Sequence, residues 1–284
     1  MALLKDFINL ILYGNFWIAL AASTMVLQTQ WLWHSPPYYS ALTGLLFFAT
    51  LFLYALHRIV GISRLKDFLE EERYAVIYRY RHHIRVYAIL GLLGALCCFW
   101  WIPWAIRLEL LLPGLLSLAY VWPIFAGRRR LRDINHLKIF LIALVWSWVT
   151  VRLPFVEAGR STFSPAQALM LLERALFVFA ITLPFDIRDL EVDRYSQVKT
   201  IPSMLGVERS VYLAYACLGS ALLLAWIQVD YSPAYHWGLS LSYLSTALLL
   251  YWSRSYRHDY YYTGLLDGTM IFQWLWILLC DQFL

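Results

Sequence analysis

The stretch DIRDLEVDRYSQVKTIP, residues 186–202, follows an apolar run at 166–186 and decides how the rest of the chain is interpreted. If the helix continues through it, Asp189 and Asp193 lie three and seven residues after Asp186, so the three carboxylates share one helical face. Carboxylates placed in this way repel each other unless a cation lies between them. Mg²⁺ is a hard cation that needs few protein ligands and is commonly shared with a phosphate. The spacing therefore predicts a Mg²⁺ site at the end of a helix, and the alternative is a solvated helix end whose acids form local salt bridges with Arg188 and Arg194.

The composition is that of an integral membrane protein. Of the 284 residues, 61% are hydrophobic and 14% are charged, whereas an ordinary soluble domain carries about 25% charged residues. We expect a single all-α polytopic domain over residues 1–284, in contact with membrane lipids and without a nucleic-acid partner. The four cysteines show no metal-ligand spacing, so they are expected to be buried thiols.

Nine runs are apolar enough to cross a membrane, since a span needs about 20 such residues. Most Lys and Arg residues fall between these runs on the side that holds the N-terminus. The positive-inside rule makes this side cytoplasmic, which places the Asp-rich stretch there and the C-terminus on the outer side. A multi-pass protein of a bacterial inner membrane is the expected class. The nine runs are 8–28, 39–60, 84–102, 108–126, 138–156, 166–186, 210–229, 235–252 and 263–281.

Further segments on the same side carry candidate contacts for an anion. The basic segment GRRRLRDINHLK, residues 127–138, is either a topology determinant or a binding loop in which Arg132 or Lys138 faces an anionic substrate. Lys199, which follows the acids, either contacts phosphate oxygens or belongs to a turn. Residues 61–85 predict a surface helix with an apolar side, which either lies against the headgroups or covers a site.

Two polar residues fall inside predicted spans. Asn15 lies in the first run and Asp267 near the start of the ninth. Polar and ionisable groups at this depth are costly, so they tend to be paired or functional. Both residues are expected near the cytoplasmic half and lining a cavity, although hydrogen bonding within the helix is an equal alternative for Asn15.

The acids and the apolar interior together indicate a class of substrate. Carboxylates with Mg²⁺ suit a diphosphate, and an apolar cavity suits a long hydrocarbon tail. A prenyl diphosphate has both parts. In its chemistry Mg²⁺ neutralises the departing diphosphate while an allylic cation forms, and aromatic faces stabilise that cation. A lipophilic acceptor then captures it.

The longer stretch DIRDLEVDRYSQVKTIPSMLG, residues 186–206, resembles the second Asp-rich motif of the UbiA superfamily of intramembrane prenyltransferases. Its place on the sixth of nine runs also matches that family. The resemblance implies nine helices around a central cavity and transfer of a prenyl group from its diphosphate to an acceptor. It implies that Asp186, Asp189 and Asp193 are catalytic Mg²⁺–diphosphate ligands and that Lys199 contacts the diphosphate. Arg194, which follows Asp193, is a further candidate diphosphate contact.

The other half of the expected site departs from the family pattern. The family's first motif, Asn-Asp-x-x-Asp-Arg-x-x-Asp, belongs at the end of the second run, where this chain reads LYALHRIVG at 53–61. Only Arg58 matches, and Tyr54, His57 and Gly61 stand where acids are expected. Arg58, together with His57 if it is protonated, can neutralise a diphosphate directly. We therefore expect a mixed site, with a metal on the acidic side, basic residues on the other side and Tyr54 in the cavity wall.

Three functions remain open from the sequence. The first is transfer of a prenyl group to an unidentified lipophilic acceptor. The second is an intramembrane terpene cyclase, in which the same cation closes on itself. The third is a non-catalytic membrane protein that keeps the fold and a degenerate site.

Overall fold

The structure is a computed structural model that describes residues 2–32, 38–62, 72–125, 129–255 and 257–283. The described chain is helical, and its one strand-like feature is an isolated bridge between Phe125 and Arg129. The α-helices are α1 (Ala2–Tyr13), α2 (Phe16–Leu32), α3 (Ala41–Ile62), α4 (Glu72–Arg79), α5 (Arg81–Trp101), α6 (Trp104–Val121), α7 (Leu137–Ser147), α8 (Leu153–Glu157), α9 (Pro165–Arg188), α10 (Leu190–Tyr195), α11 (Ile201–Leu205), α12 (Val207–Ile227), α13 (Pro233–Trp252) and α14 (Asp267–Phe283).

The helices form a multi-pass membrane protein. Seven helical segments in the described part of the chain are long and apolar enough to cross a membrane, or eight if the bent pair Leu4–Tyr13 and Phe16–Leu32 counts as one span. The eighth predicted span, 235–252, corresponds to α13, which has 20 residues but is not among the segments that meet this test. The predicted all-α membrane architecture is confirmed, whereas the count of nine stays a prediction.

The first predicted span is not one straight helix. It bends by 56° between α1 and α2, where Asn15 has a left-handed backbone with φ 66°. A Cβ at Gly14 would lie 2.1 Å from the Leu10 carbonyl oxygen, so only glycine fits at that position. Asn is one of the few residues that adopt the left-handed conformation readily. This backbone conformation directs the Asn15 side chain into the bundle.

Two other spans contain π-helical turns, which are common at functional sites. One turn, Trp148–Arg152, joins α7 to α8. The other, Tyr261–Leu266, leads into α14, and its Gly264 carbonyl oxygen accepts a hydrogen bond of 2.9 Å from Trp17 Nε1. This bond ties the start of α14 to the bend between α1 and α2.

Helix α9 is the central element of the bundle and carries the Asp-rich stretch. Ser164 caps its N-terminus by accepting from the Gln167 backbone N–H, with Pro165 at the first helical position, where proline is favoured. The middle of α9 is buried among neighbouring helices, with its fully buried residues including Phe177, Ala180 and Leu183. The helix ends at Arg188, and Asp189 is its C-cap, with φ −89° and ψ 9°.

Helix α3 reaches the same end of the bundle from the opposite side. It packs closely on α5, because a Cβ at Gly91 would lie 2.8 Å from the Phe52 backbone nitrogen and 3.0 Å from the Phe48 carbonyl oxygen. Side chains on α3, α9 and the segment before α7 therefore converge where α3 and α9 end. Of the predicted surface helix at 61–85, residues 63–71 lie outside the described residues, and the part that follows them forms α4 and the start of α5.

Candidate functional site

A cavity of about 1010 Å³ lies inside the bundle. Its wall divides into two regions of different chemistry. One region, which we call the polar end, contains the charged lining residues Arg58, Arg129, Arg130, Arg132, Asp133, Lys138, Asp186, Arg188, Asp189, Asp193, Asp259 and Asp267. The other, the apolar body, is lined chiefly by Ile18, Ala22, Leu45, Leu46, Ala49, Leu53, Leu110, Leu116, Leu141, Ile142, Val145, Trp146 and Val149.

Lys138 bridges two of the three predicted metal ligands. Its Nζ lies 2.9 Å from Asp186 Oδ1 and 2.8 Å from Asp193 Oδ2. The three side chains are buried, with exposed fractions of 6%, 3% and 9% respectively. A lysine ammonium has three N–H donors, so two are used by the chain and one remains for a ligand in the cavity.

The third predicted ligand, Asp189, belongs to a different ion pair. Arg188 Nε lies 2.8 Å from Asp189 Oδ1, and Arg188 Nη1 lies 2.8 Å from Asp259 Oδ1. The guanidinium also lies 5.1 Å above the Phe185 ring and 5.0 Å above the Tyr262 ring. Asp189 is therefore neutralised mainly by Arg188, whereas Asp186 and Asp193 share Lys138.

The expected site in which Asp186, Asp189 and Asp193 together hold Mg²⁺ is not formed by the described residues. No group of three His, Cys, Asp or Glu side chains among them is placed to hold a metal ion. The space between Asp186 and Asp193 contains the Lys138 ammonium, and Asp189 is paired with Arg188. As placed, these residues do not fit a divalent cation.

Arg132 reaches the cavity from the basic segment before α7. It lies in a 3-10 turn, Leu131–Asp133, which is closed by hydrogen bonds from Arg130 to Asp133. Burial alone would raise the pKa of Asp133, but the hydrogen bonds and charge of Arg130 outweigh it and hold that pKa below its usual value. The loop carboxylate is therefore ionised and already neutralised by Arg130.

Arg132 itself has no carboxylate within 4.0 Å in the described part of the chain. Its guanidinium lies 5.4 Å above the Tyr120 ring and its Nη1 contacts His57 Nε2. Arginine only donates, so His57 accepts with an unprotonated nitrogen. His57 lines the cavity, and this contact with Arg132 favours a neutral ring that orients the guanidinium.

Arg58 and Asn15 form a second pair of donors at the polar end. Arg58 Nε donates a hydrogen bond of 2.7 Å to Asn15 Oδ1, and the guanidinium lies 5.5 Å above the Tyr13 ring. Asn15 is buried, and its Nδ2 has no hydrogen-bond partner in the described structure. Since both residues line the cavity, this amide donor is available to a ligand.

Asp267 and Tyr54 also line the cavity. The Asp267 carboxylate makes no hydrogen bond and no ion pair with the described residues. Its hydrogen-bonding capacity is therefore left for a ligand in the cavity.

Two of the residues expected as diphosphate contacts do not line the cavity. Arg194 and Lys199 are both exposed, and neither belongs to the cavity wall. The main chain of Lys199 forms part of a turn, because its N–H donates to Asn135 Oδ1 at 2.9 Å and its carbonyl oxygen accepts from the His136 N–H at 2.8 Å. Of the two sequence interpretations of Lys199, the turn is the one that this placement supports.

The sequence interpretation did not single out several members of the polar end, among them Asp259. Asp259 pairs with Arg188 and lies just before the π-helical turn that leads into α14. A signal was present, because Asp259 is an acid directly before a predicted span on the side that carries the Asp-rich stretch. The partner of Arg188 depends on how α14 packs beside α9, which the spacing of residues does not determine.

No protein-family model matches this sequence, and no curated protein matches it. Solved structures do match along nearly the whole chain. An apo UbiA homologue from Aeropyrum pernix K1 has a TM-score of 0.60 at 15% identity, covering 93% of this chain and 95% of that one. A UbiA homologue from Archaeoglobus fulgidus bound to GPP and Mg²⁺ has a TM-score of 0.55 at 13% identity, covering 95% and 99%. A digeranylgeranylglyceryl phosphate synthase has a TM-score of 0.57 at 13% identity, covering 100% of both chains.

Proposed function

Since this chain has the fold of the UbiA homologues, we propose that it is an intramembrane prenyltransferase. Its cavity binds a prenyl diphosphate and transfers the prenyl group to a lipophilic acceptor. The neighbour from Archaeoglobus fulgidus is bound to GPP and Mg²⁺, which supports a prenyl diphosphate as the substrate class. By the positive-inside rule, the polar end faces the cytoplasm.

The observation that carries this proposal is the two-part cavity wall. The polar end supplies N–H donors that the protein leaves available, on Arg132, Lys138 and Asn15. Hydrogen bonds from charged donors to phosphate oxygens are stronger than hydrogen bonds between neutral groups. The adjoining apolar body suits a hydrocarbon chain. Ligand pockets usually measure about 300–1,000 Å³, so a cavity of about 1010 Å³ has room for a prenyl chain and an acceptor together.

The chemistry follows from this arrangement. The bond between the first prenyl carbon and the diphosphate oxygen breaks, and its electron pair leaves with the diphosphate. Donors at the polar end stabilise the charge that develops on the leaving oxygen. The allylic cation remains in the cavity, where the ring of Tyr54 is part of the wall and can stabilise it. The acceptor forms the new bond and loses a proton, for which the Asp267 carboxylate is available.

The proposal is tested by release of pyrophosphate from geranyl diphosphate. Wild-type protein reconstituted in liposomes with Mg²⁺ present is expected to release pyrophosphate and to yield a prenylated product when a membrane lipid extract supplies the acceptor. The Asp189→Ala variant is expected to release less, because Arg188 loses a partner at the polar end. The matched control is Glu191→Ala, an exposed acid outside the cavity wall, which is expected to act like wild type.

The products separate the remaining functions. A prenylated lipid supports transfer, whereas a cyclic hydrocarbon formed without any acceptor supports the terpene cyclase. Geranyl diphosphate and its longer homologues that all stay intact in the presence of Mg²⁺ and the extract would contradict catalysis and favour a non-catalytic protein.

A further inference from the structure

The Lys138 ammonium lies in the space that the sequence assigns to a metal ion. We propose that Lys138 takes the place of the metal, so that the polar end holds its anionic ligand without a divalent cation. The identity of the ligand as a prenyl diphosphate rests on the proposed function. The replacement of the metal by Lys138 rests on the geometry of the polar end alone.

The contacts of Lys138 are those that a shared metal would make. The ammonium touches Asp186 and Asp193 at 2.9 and 2.8 Å and also lines the cavity. It has no further partner among the described residues, so its third N–H is available to a phosphate oxygen. One cation thus joins the two carboxylates to the ligand, which is the bridging role expected of Mg²⁺ in the sequence interpretation.

The backbone holds Lys138 at this position. The segment directly before α7 is tied to the segment that follows Asp193 by two hydrogen bonds. The His136 N–H donates to the Lys199 carbonyl oxygen at 2.8 Å, and the Lys199 N–H donates to Asn135 Oδ1 at 2.9 Å. His136 also has a left-handed backbone, with φ 62°, which turns the chain into α7. Lys138 is therefore fixed relative to the acids and is not a surface side chain that happens to reach them.

The charges at the polar end balance without a metal ion. Six basic and six acidic residues among the described ones line the cavity, and Lys138, Arg130 and Arg188 each pair with at least one acid. A divalent cation entering between Asp186 and Asp193 would meet the ammonium at close range, where like charges repel strongly in a poorly solvated site. Metal binding would require Lys138 to leave.

Titration with Mn²⁺ tests this inference without any substrate. Mn²⁺ substitutes for Mg²⁺ at oxygen ligands and its binding is followed by electron paramagnetic resonance. Wild-type protein in detergent is expected to show no saturable binding, whereas Lys138→Ala is expected to gain a saturable site because two buried carboxylates lose their cation. Adding Asp186→Asn and Asp193→Asn to that variant is expected to remove the gain. Lys199→Ala, which changes an exposed lysine, is the control and is expected to behave like wild type.

The outcomes are distinct from those of the pyrophosphate assay. Saturable Mn²⁺ binding by the wild type that Asp186→Asn abolishes would overturn the inference, as would a folded Lys138→Ala variant that gains no site. If Lys138→Ala does not fold, the titration of the wild-type protein still tests the inference.

A second measurement uses a non-hydrolysable geranyl diphosphate analogue. Its affinity for the wild-type protein is expected to differ by less than about twofold between a buffer with EDTA and one with Mg²⁺. Loss of binding in EDTA would contradict the inference.

Discussion

Replacing Lys138 with methionine is expected to destabilise the protein by about 3–5 kcal/mol, the usual cost of removing one partner from a buried ion pair. The cause is that Asp186 and Asp193 stay buried and lose the cation that both contact. Methionine keeps much of the apolar stem, so the effect reports the lost charge more than a cavity. The measurement is the free energy of unfolding of the purified protein in detergent, by chemical denaturation.

A matched set of variants separates charge from packing in this experiment. Lys199→Met changes an exposed lysine at the same end of the bundle and is expected to alter stability by less than about 0.5 kcal/mol. Combining Lys138→Met with Asp186→Asn and Asp193→Asn is expected to recover part of the loss, because no uncompensated charge remains. A Lys138→Met protein as stable as the wild type would show that the ammonium does not neutralise these acids.

Replacing Arg132 with alanine is expected to weaken binding of a prenyl diphosphate by about 10- to 150-fold. That range corresponds to roughly 1.5–3 kcal/mol for a hydrogen bond to a charged group. Arg132 is a cavity guanidinium that lacks a carboxylate partner within 4.0 Å in the described structure, so its donors are not used by the protein's own acids. Equilibrium binding of the non-hydrolysable geranyl diphosphate analogue measures the effect.

Two further variants give this prediction its controls. Arg132→Lys is expected to bind with intermediate affinity, because it keeps the charge but loses the planar fork that stacks on Tyr120. Arg194→Ala removes an exposed arginine outside the cavity wall and is expected to bind as the wild type does. If Arg194→Ala and Arg132→Ala weaken binding equally, the basic residues attract the diphosphate at long range, and Arg132 makes no specific contact with it.

Much of the fold follows from the sequence because a membrane requires long apolar helices. The predicted run 138–156 corresponds to Leu137–Glu157, and the run 166–186 to Pro165–Arg188. The first span was predicted as one helix, yet it bends at Asn15. The pair Gly14-Asn15 was the available signal, since these residue types accept the left-handed backbone that such a bend needs. Hydropathy is averaged over a whole span, so it does not reveal a bend that depends on two residues.

The site was predictable as a set of residue types but not as a set of pairs. Charge and position single out Asp186, Asp189, Asp193 and Lys138, and these four residues do line one cavity. The spacing of Asp186, Asp189 and Asp193 indicates a cation between them. The spacing does not show that this cation is the ammonium group of Lys138. The pairing of Lys138 with acids 48 and 55 residues further on depends on how α7 packs on α9. Helical periodicity describes one helix at a time and contains no such information.

The most direct test of the account is a structure of the wild-type protein bound to a non-hydrolysable geranyl diphosphate analogue in EDTA. Phosphate oxygens are expected within about 2.7–3.2 Å of the Arg132 guanidinium and the Lys138 ammonium, with the hydrocarbon tail in the apolar body beside Leu53 and Val149. A diphosphate bound outside the cavity, at Arg194 or Lys199, would contradict it. A diphosphate that enters the polar end only with a metal ion between Asp186 and Asp193, and with Lys138 displaced, would contradict it as well.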